Sequence, residues 1–372
     1  MDSPTGTLYP CIDYANKHRA PKDIRHRQLY INGYDECIGF VPERFAQVMI
    51  WDELYFSVPP EPFPGSSFRA IVIKTDFLPA LSKYNPKFSW HDDEKCCMLA
   101  FDKLAMDNCA QFPSLGAWAM TNYEQQEYSP VHVFDNRLGR IRIPTPLRGL
   151  IGALTVGVHL NVYSRNPTTG EYHIWVSHRA VGRDMSYSGM FDQIVAGGAD
   201  PDDEIGCVLA PHKTLIREAK EEAGLEIDES TQHAYVPGNI KKPRSKIGKV
   251  ARVSWITFYD EKDEDAGHLN EGQVEPGVRI IYDLEVKRDF RPTPNEPGIK
   301  FQLMNMSEVK KSLVGVYPRW KPNSGLVMLD FLVRHQQVTM NNDHQFSQIV
   351  NDLRPEIPFR FADQWRSRVK GW

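Results

Sequence analysis

Residues 217–225 read REAKEEAGL, and a helix is the regular structure that sorts this string into two faces. At ~100° per residue, Glu218, Glu221 and Glu222 share about a third of the circumference, and Ile216, Ala219 and Ala223 fall opposite. One side docks and the other presents three carboxylates. Gly224 then ends the helix as a C′ glycine. Crowded carboxylates repel and cost stability. A divalent cation offsets that repulsion, because Mg²⁺ takes hard oxygen ligands and keeps several waters. Held there, it neutralises a diphosphate and acidifies a bound water. Arg217, at the edge of the acidic face, can fork to a carboxylate and hold it. The plain alternative is a solvated acidic face.

The rest of the 372 residues bounds the setting of that helix. A chain of this length holds two or three domains, is 41% hydrophobic, and can bury a sizeable core without staples. The formal charge of −4 argues against a dedicated nucleic-acid binder. The longest apolar run, residues 150–160, contains Gly152, Gly157 and His159. It is well short of the ~20 residues a membrane helix needs. The first ten residues lack the basic and apolar regions of a secretory signal. Six cysteines without a C-x-x-C pair read as reduced thiols, so cytoplasm is the default expectation. Nothing in the string bears on oligomeric state.

Residues 1–150 are rich in aromatics and proline and read as a smaller mixed α/β domain. Strands are expected at 28–31, 68–73 and 131–134, and helical pieces at 77–84 and 95–106. The cluster His91, Asp92, Asp93 and Glu94 reads as a solvated loop, since adjacent acids converge poorly on a metal. A boundary falls near 144–148. Beyond it, alternation predicts strands at 154–163 and 172–178 with a turn at 167–170, and further strands at 251–259 and 278–286. Helices are expected at 307–314 and 323–336. Residues 341–372 read as a polar tail with one short helix.

Read with its flanks, the acidic helix resembles the core of the Nudix box, G-x5-E-x7-R-E-U-x-E-E-x-G-U, where U is aliphatic. Arg217, Glu218, Glu221, Glu222 and Gly224 match its fixed positions, and Ala219 and Leu225 its aliphatic ones. Five such fixed residues coincide by chance about once per million starting points. Gly198 and Glu204 are five residues apart, as the box asks, but twelve residues rather than seven separate Glu204 from Arg217. The excess is expected around residues 207–212, where Pro211 breaks a continuous helix. Residues 157–165, 177–198, 280–286 and 320–335, and more loosely 31–49, are similar to the thiamine-pyrophosphokinase-related Nudix proteins of fungi and plants. The basic stretch 239–252, with Lys241, Lys242, Arg244, Lys246, Lys249 and Arg252, departs from that pattern and reads as a solvated hairpin tip.

The resemblance implies an α+β chain: a C-terminal Nudix fold over 151–340, its mixed sheet sandwiched by helices, after the smaller domain. It also implies hydrolysis of a diphosphate linked to a small organic group, with Mg²⁺ or Mn²⁺ as cofactor. Glu218, Glu221 and Glu222 would then hold the metal, with a backbone carbonyl at Gly197 or Gly198. Glu218 would be a further ligand or the base that activates water, and Arg217 would orient a helix carboxylate. Glu275 is the candidate for a later-loop acid in or beside the substrate site, or else an exposed loop acid. Arg179 would reach a phosphate, or lie along a strand end. Tyr187, Phe191 and Trp255 are candidates to stack on the organic group or to fill the core. Thiamine diphosphate and its oxo and oxy forms lead among substrates. Oxidised nucleoside diphosphates of the 8-oxo-dGDP type stay open, as does a non-catalytic metabolite-binding module.

Overall fold

The computed structural model describes residues 6–17, 26–60, 69–76, 93–133, 138, 141–182, 185–205, 208–238, 243–314, 320–367 and 369–372. The expected helix at 77–84 and the residues His91, Asp92, Lys241 and Lys242 lie outside these. The smaller N-terminal unit has a sheet of β1 (His26–Ile31), β2 (Cys37–Pro42), β3 (Phe56–Ser57) and β4 (Ala70–Ile73) in the order β2-β1-β4-β3. Helices α2 (Glu43–Val48), α3 (Asp93–Asn108), α4 (Pro113–Met120) and α5 (Leu147–Leu150), and the pair β5 (Tyr128–Pro130) and β6 (Arg142–Pro144), complete it. Leu29, Ile71, Phe101 and Leu104 are buried at its centre.

The larger unit is built on nine strands. They are β7 (Thr155–Arg165), β8 (Tyr172–His178), β9 (Phe191–Gln193), β10 (Val195–Gly198), β11 (Glu226–Ile227), β12 (His233–Val236), β13 (Ser245–Glu261), β14 (Val274–Glu285) and β15 (Lys300–Asn305). Their order is β11-β12-β13-β14-β7-β8-β15, with β10 paired to β7 and β9 to β8. Strand β14 runs parallel to β7 and antiparallel to β13, so the sheet is mixed, as expected.

Alternation along β7 divides its surroundings. Val156, Val158, Leu160 and Val162 pack with Leu215, Ala219 and Ala223 of α6 (Pro211–Ala223). On the opposite side, α7 (Met306–Leu313) and α8 (Pro322–Arg334) pack over Ile174, Ile256, Phe258 and Ile281. The sheet therefore lies between helices, and the whole is α+β.

Both chain ends enter this larger unit, which corrects the domain limits expected at 150 and 341. Helix α1 (Pro10–Ala15) buries Cys11, Ile12 and Ala15 in the core beneath α8. The C-terminal residues are no polar tail. Helix α9 (Phe346–Asp352) supplies Ile349 to the same core. Phe359, Phe361 of α10 (Arg360–Gln364) and Trp365 enter the core around α6. Phe359 meets Phe40 of β2 edge-on at 5.1 Å, so one ring contact joins the N-terminal sheet to the far end of the chain. The strand expected at 131–134 lies earlier, at β5.

Phe359 is 1% exposed. Phe359→Ala should lower the unfolding free energy by about 3–5 kcal/mol, read by urea denaturation. An effect below about 1 kcal/mol would mean that this segment does not belong to the core.

Candidate active site

The acidic helix α6 begins where chemistry permits. Pro211 occupies the first helical position, where its missing N–H costs nothing. The helix ends at Gly224, in the left-handed region at φ 58°, with Leu225 N–H donating to the Ala219 carbonyl. Leu215, Ala219 and Ala223 dock on β7, so the carboxylates face the end of β10.

Arg217 organises that end. Its Nη1 donates to Glu218 Oε1 at 2.7 Å and to Glu221 Oε2 at 3.2 Å. Its Nη2 donates to the Gly198 carbonyl at 3.0 Å and to Asp203 Oδ2 at 2.9 Å. Arg217 is thus a positioning residue. Asp203, buried and also accepting from the Asp200 N–H, is the upstream acid that meets it. Glu204, one residue on, bridges to Leu209 instead, and the Ala210 N–H returns to the Asp203 carbonyl. Asp203 and Ala210 are therefore neighbours, although six residues of sequence separate them.

The glycine pair has two different uses. A Cβ on Gly197 would lie 1.9 Å from the carboxyl carbon of Glu218, so that side chain packs where any other residue would stand. Gly198 offers its carbonyl to Arg217. Glu222 Oε2 accepts the Ala196 N–H at 2.7 Å. Asn295 Nδ2 donates to the carbonyls of Lys220 and Glu221 and so covers the end of the helix.

A small cleft of about 90 Å³ brings Glu222 together with Arg179, Asp192, Gln193 and Glu296. Arg179 follows β8 directly, donates to the Ser186 carbonyl and pairs with Asp192 at 3.2 Å. Glu275 is placed differently from expectation. It lies inside β14 rather than on a loop before it, paired with Arg279 at 2.6 Å and with Lys262 at 3.7 Å. Those cations hold its carboxyl far below the usual range against the effect of burial. The acids that crowd Glu222 are Asp192, Glu218 and Glu296. Of the aromatic candidates, Phe191 fills the core against His178 and Trp320. Trp255 stacks under Arg366 at 3.7 Å, and Tyr187 is buried at φ 54°.

The donor set suits a hard divalent cation. Burial, then the neighbouring carboxylates, push the Glu222 carboxyl up to about 8, and burial also raises Glu218. Such frustrated charge is what a cation relieves. The arrangement is not a closed cage: among the described residues, no three His, Cys, Asp or Glu side chains stand ready around one ion.

The raised Glu222 sets a pH dependence. Between the ordinary carboxyl value of 4.5 and about 8, the folded protein without metal holds a proton that the unfolded chain has released. Its stability therefore falls as pH rises through that window. A metal ion must displace the same proton, so affinity changes in the opposite sense. Mn²⁺ affinity, followed by calorimetry, should rise by up to about tenfold per unit between about pH 6 and 8, and Glu222→Gln should flatten the slope. A flat profile for the native chain would place Glu222 outside the metal site.

No family model matches the chain. It is 27% identical over 228 residues to the uncharacterized protein YJR142W of Saccharomyces cerevisiae, covering 61% of this chain and 60% of that protein. It is 26% identical over 195 residues to Nudix hydrolase 20, chloroplastic, of Arabidopsis thaliana, covering 52% of this chain and 42% of the plant protein. The chain thus spans about half the length of the curated relatives it matches. The solved NUDIX domain of Shewanella oneidensis NrtR complexed with ADP ribose aligns over 50% of this chain and 90% of its own, at 10% identity and a TM-score of 0.30. Among the described residues, no helix is long and apolar enough to cross a membrane. The chain is a sequence relative of two Nudix hydrolases of Arabidopsis thaliana, and its larger, C-terminal unit is α+β with a mixed sheet between helices.

Proposed function

We propose that the chain is a Mg²⁺- or Mn²⁺-dependent hydrolase that cleaves the phosphoanhydride bond of a diphosphate linked to a small organic group, releasing phosphate. The observation that carries this is the network of Arg217. One guanidinium gathers Asp203, the Gly198 carbonyl, Glu218 and Glu221, and Glu218 acts electrostatically on Glu222, which lines a cleft with Arg179. Glu218, Glu221 and Glu222 are the side chains that would hold the metal, with the Gly197 or Gly198 carbonyl beside them. When bound, the metal would neutralise diphosphate charge and acidify water.

The protein's own groups supply the rest. Arg217 binds Oε1 of Glu218 and leaves Oε2 to take a proton from an attacking water. The raised affinity of that carboxyl for protons suits the step. Arg179 faces the cleft, where its fork suits a phosphate. Resemblance over residues 157–165 and 177–198 favours thiamine diphosphate or its oxo and oxy forms as substrate, with 8-oxo-dGDP-type diphosphates as the alternative. A second reading, a metabolite-binding module without turnover, draws on Arg217 itself, which already pairs with two of the three carboxylates.

Phosphate release should be measured with Mg²⁺ from thiamine diphosphate, its oxo and oxy forms, 8-oxo-dGDP and ADP-ribose. Turnover of at least one, lost with EDTA, is expected, and Glu218→Gln should lower kcat by about 10²–10⁴-fold. Folded protein that binds metal and turns over none of them would support the binding module. Asp203→Asn and Glu204→Gln separate the two upstream acids. The first should lower kcat at least about tenfold and the second leave it unchanged, because only Asp203 meets Arg217. Equal effects would mean that Arg217 is not positioned through Asp203.

A further inference from the structure

The face of β7 turned away from α6 carries charge that the box does not use. Thr155, Gly157 and His159 point to that side, and the Arg279 chain lies over Gly157. Arg279 donates to Thr155 and to Glu275 Oε1. Lys262 Nζ stands 3.7 Å from Glu275 Oε2 and Lys321 Nζ 3.6 Å from Asp192 Oδ2, the oxygen that Arg179 also reaches. Arg148, at the end of the N-terminal unit, adds its field to Lys262, Arg279 and Glu275.

These groups do not balance. Five cations, Arg148, Arg179, Lys262, Arg279 and Lys321, face two ionised carboxylates, Asp192 and Glu275. Burial raises the neighbouring Asp260 carboxyl and lowers the His159 imidazole. Among the described residues of this cluster, cations outnumber carboxylates even when Asp260 is counted with the acids. Lys262 and Lys321, with side chains 13% and 20% exposed, have no hydrogen-bond acceptor there and only the two long ion pairs. An ammonium has three N–H donors, and buried ones are normally used. The cleft already described is lined by Arg179 and Asp192, whose Oδ2 is the oxygen 3.6 Å from Lys321 Nζ, and Lys262 lines a separate opening with Lys17, Arg44 and Glu261.

We infer that Lys262, Arg279 and Lys321, gathered around Glu275 and Asp192, form a metal-independent oxyanion site that takes a phosphate or carboxylate. Its assignment to the substrate rests on the hydrolase reading above, whereas the anion site itself does not. The anion has two possible sources: the diphosphate under attack, or a second acidic group on the organic moiety.

The full chain in EDTA should bind inorganic phosphate by calorimetry. Lys262→Met combined with Lys321→Met should weaken that binding at least about tenfold, while Lys321→Arg keeps it and Glu221→Gln leaves it as in the native chain. Circular dichroism of the double variant checks the fold, and Lys321→Met alone, which should also weaken phosphate binding, stands in where it fails. ADP and adenosine 3′-phosphate 5′-diphosphate then separate the sources. Equal losses for both nucleotides in the double variant assign the site to the diphosphate, and a loss confined to the second assigns it to an additional anion. Phosphate held no tighter by the native chain than by the double variant overturns the site. Phosphate binding without turnover of any diphosphate would defeat the hydrolase reading alone.

Discussion

The Arg217 guanidinium is the joint on which the site depends, because it satisfies four acceptors from three separate pieces of chain. They come from the loop at 200–203, the end of β10 and the exposed face of α6. A planar fork can do this where an ammonium cannot. Its positive charge also makes the acidic face tolerable: Glu218, Glu221 and Asp203 would otherwise repel across a few ångströms. The joint needs space as well as charge. Glu218 reaches Arg217 by lying in the volume that a side chain at position 197 would fill. A glycine at the end of a strand is therefore part of the carboxylate geometry and no mere turn.

Elements with a long local period were legible. The apolar stripe of α6, its glycine stop, β8 and α3 are all expected from their own residues. What the sequence hides is non-local. The Gly197–Gly198 pair suggests a loop, yet it ends β10, because pairing with β7 outweighs the weak strand preference of glycine. Counting residues from Gly198 selects Glu204, but the backbone bond from Ala210 to Asp203 loops out what lies between, and so Asp203 is the acid in reach. Glu275 looks like a loop residue because β14 begins at Val274, four positions before the strand its hydrophobic run suggests. The chain ends are misread for a related reason. Their apolar residues, Cys11 and Ile12 or Phe359 and Phe361, come in stretches too short to show a period. Only the core they enter explains them.

The sheet separates two kinds of charge chemistry by little more than its own thickness. Carboxylates gather on the α6 side and cations on the α8 side. Asp192 stands between them. Its Oδ1 accepts from Ser324 Oγ and the Gln193 N–H, and its Oδ2 faces Arg179 and Lys321. Its negative charge is also among those that raise Glu222. Whatever strengthens the cationic side therefore draws on the same residue that loads the carboxylate side. Charge then orders the organic groups a diphosphate could bring. A thiazolium ring carries a positive charge into a region already short of anions, and pays Coulomb repulsion at low dielectric. Oxidation of that ring to its uncharged oxo form removes the penalty without changing the diphosphate. On electrostatic grounds the oxo form is the better occupant of the two, and a ligand with its own acidic group is better than either.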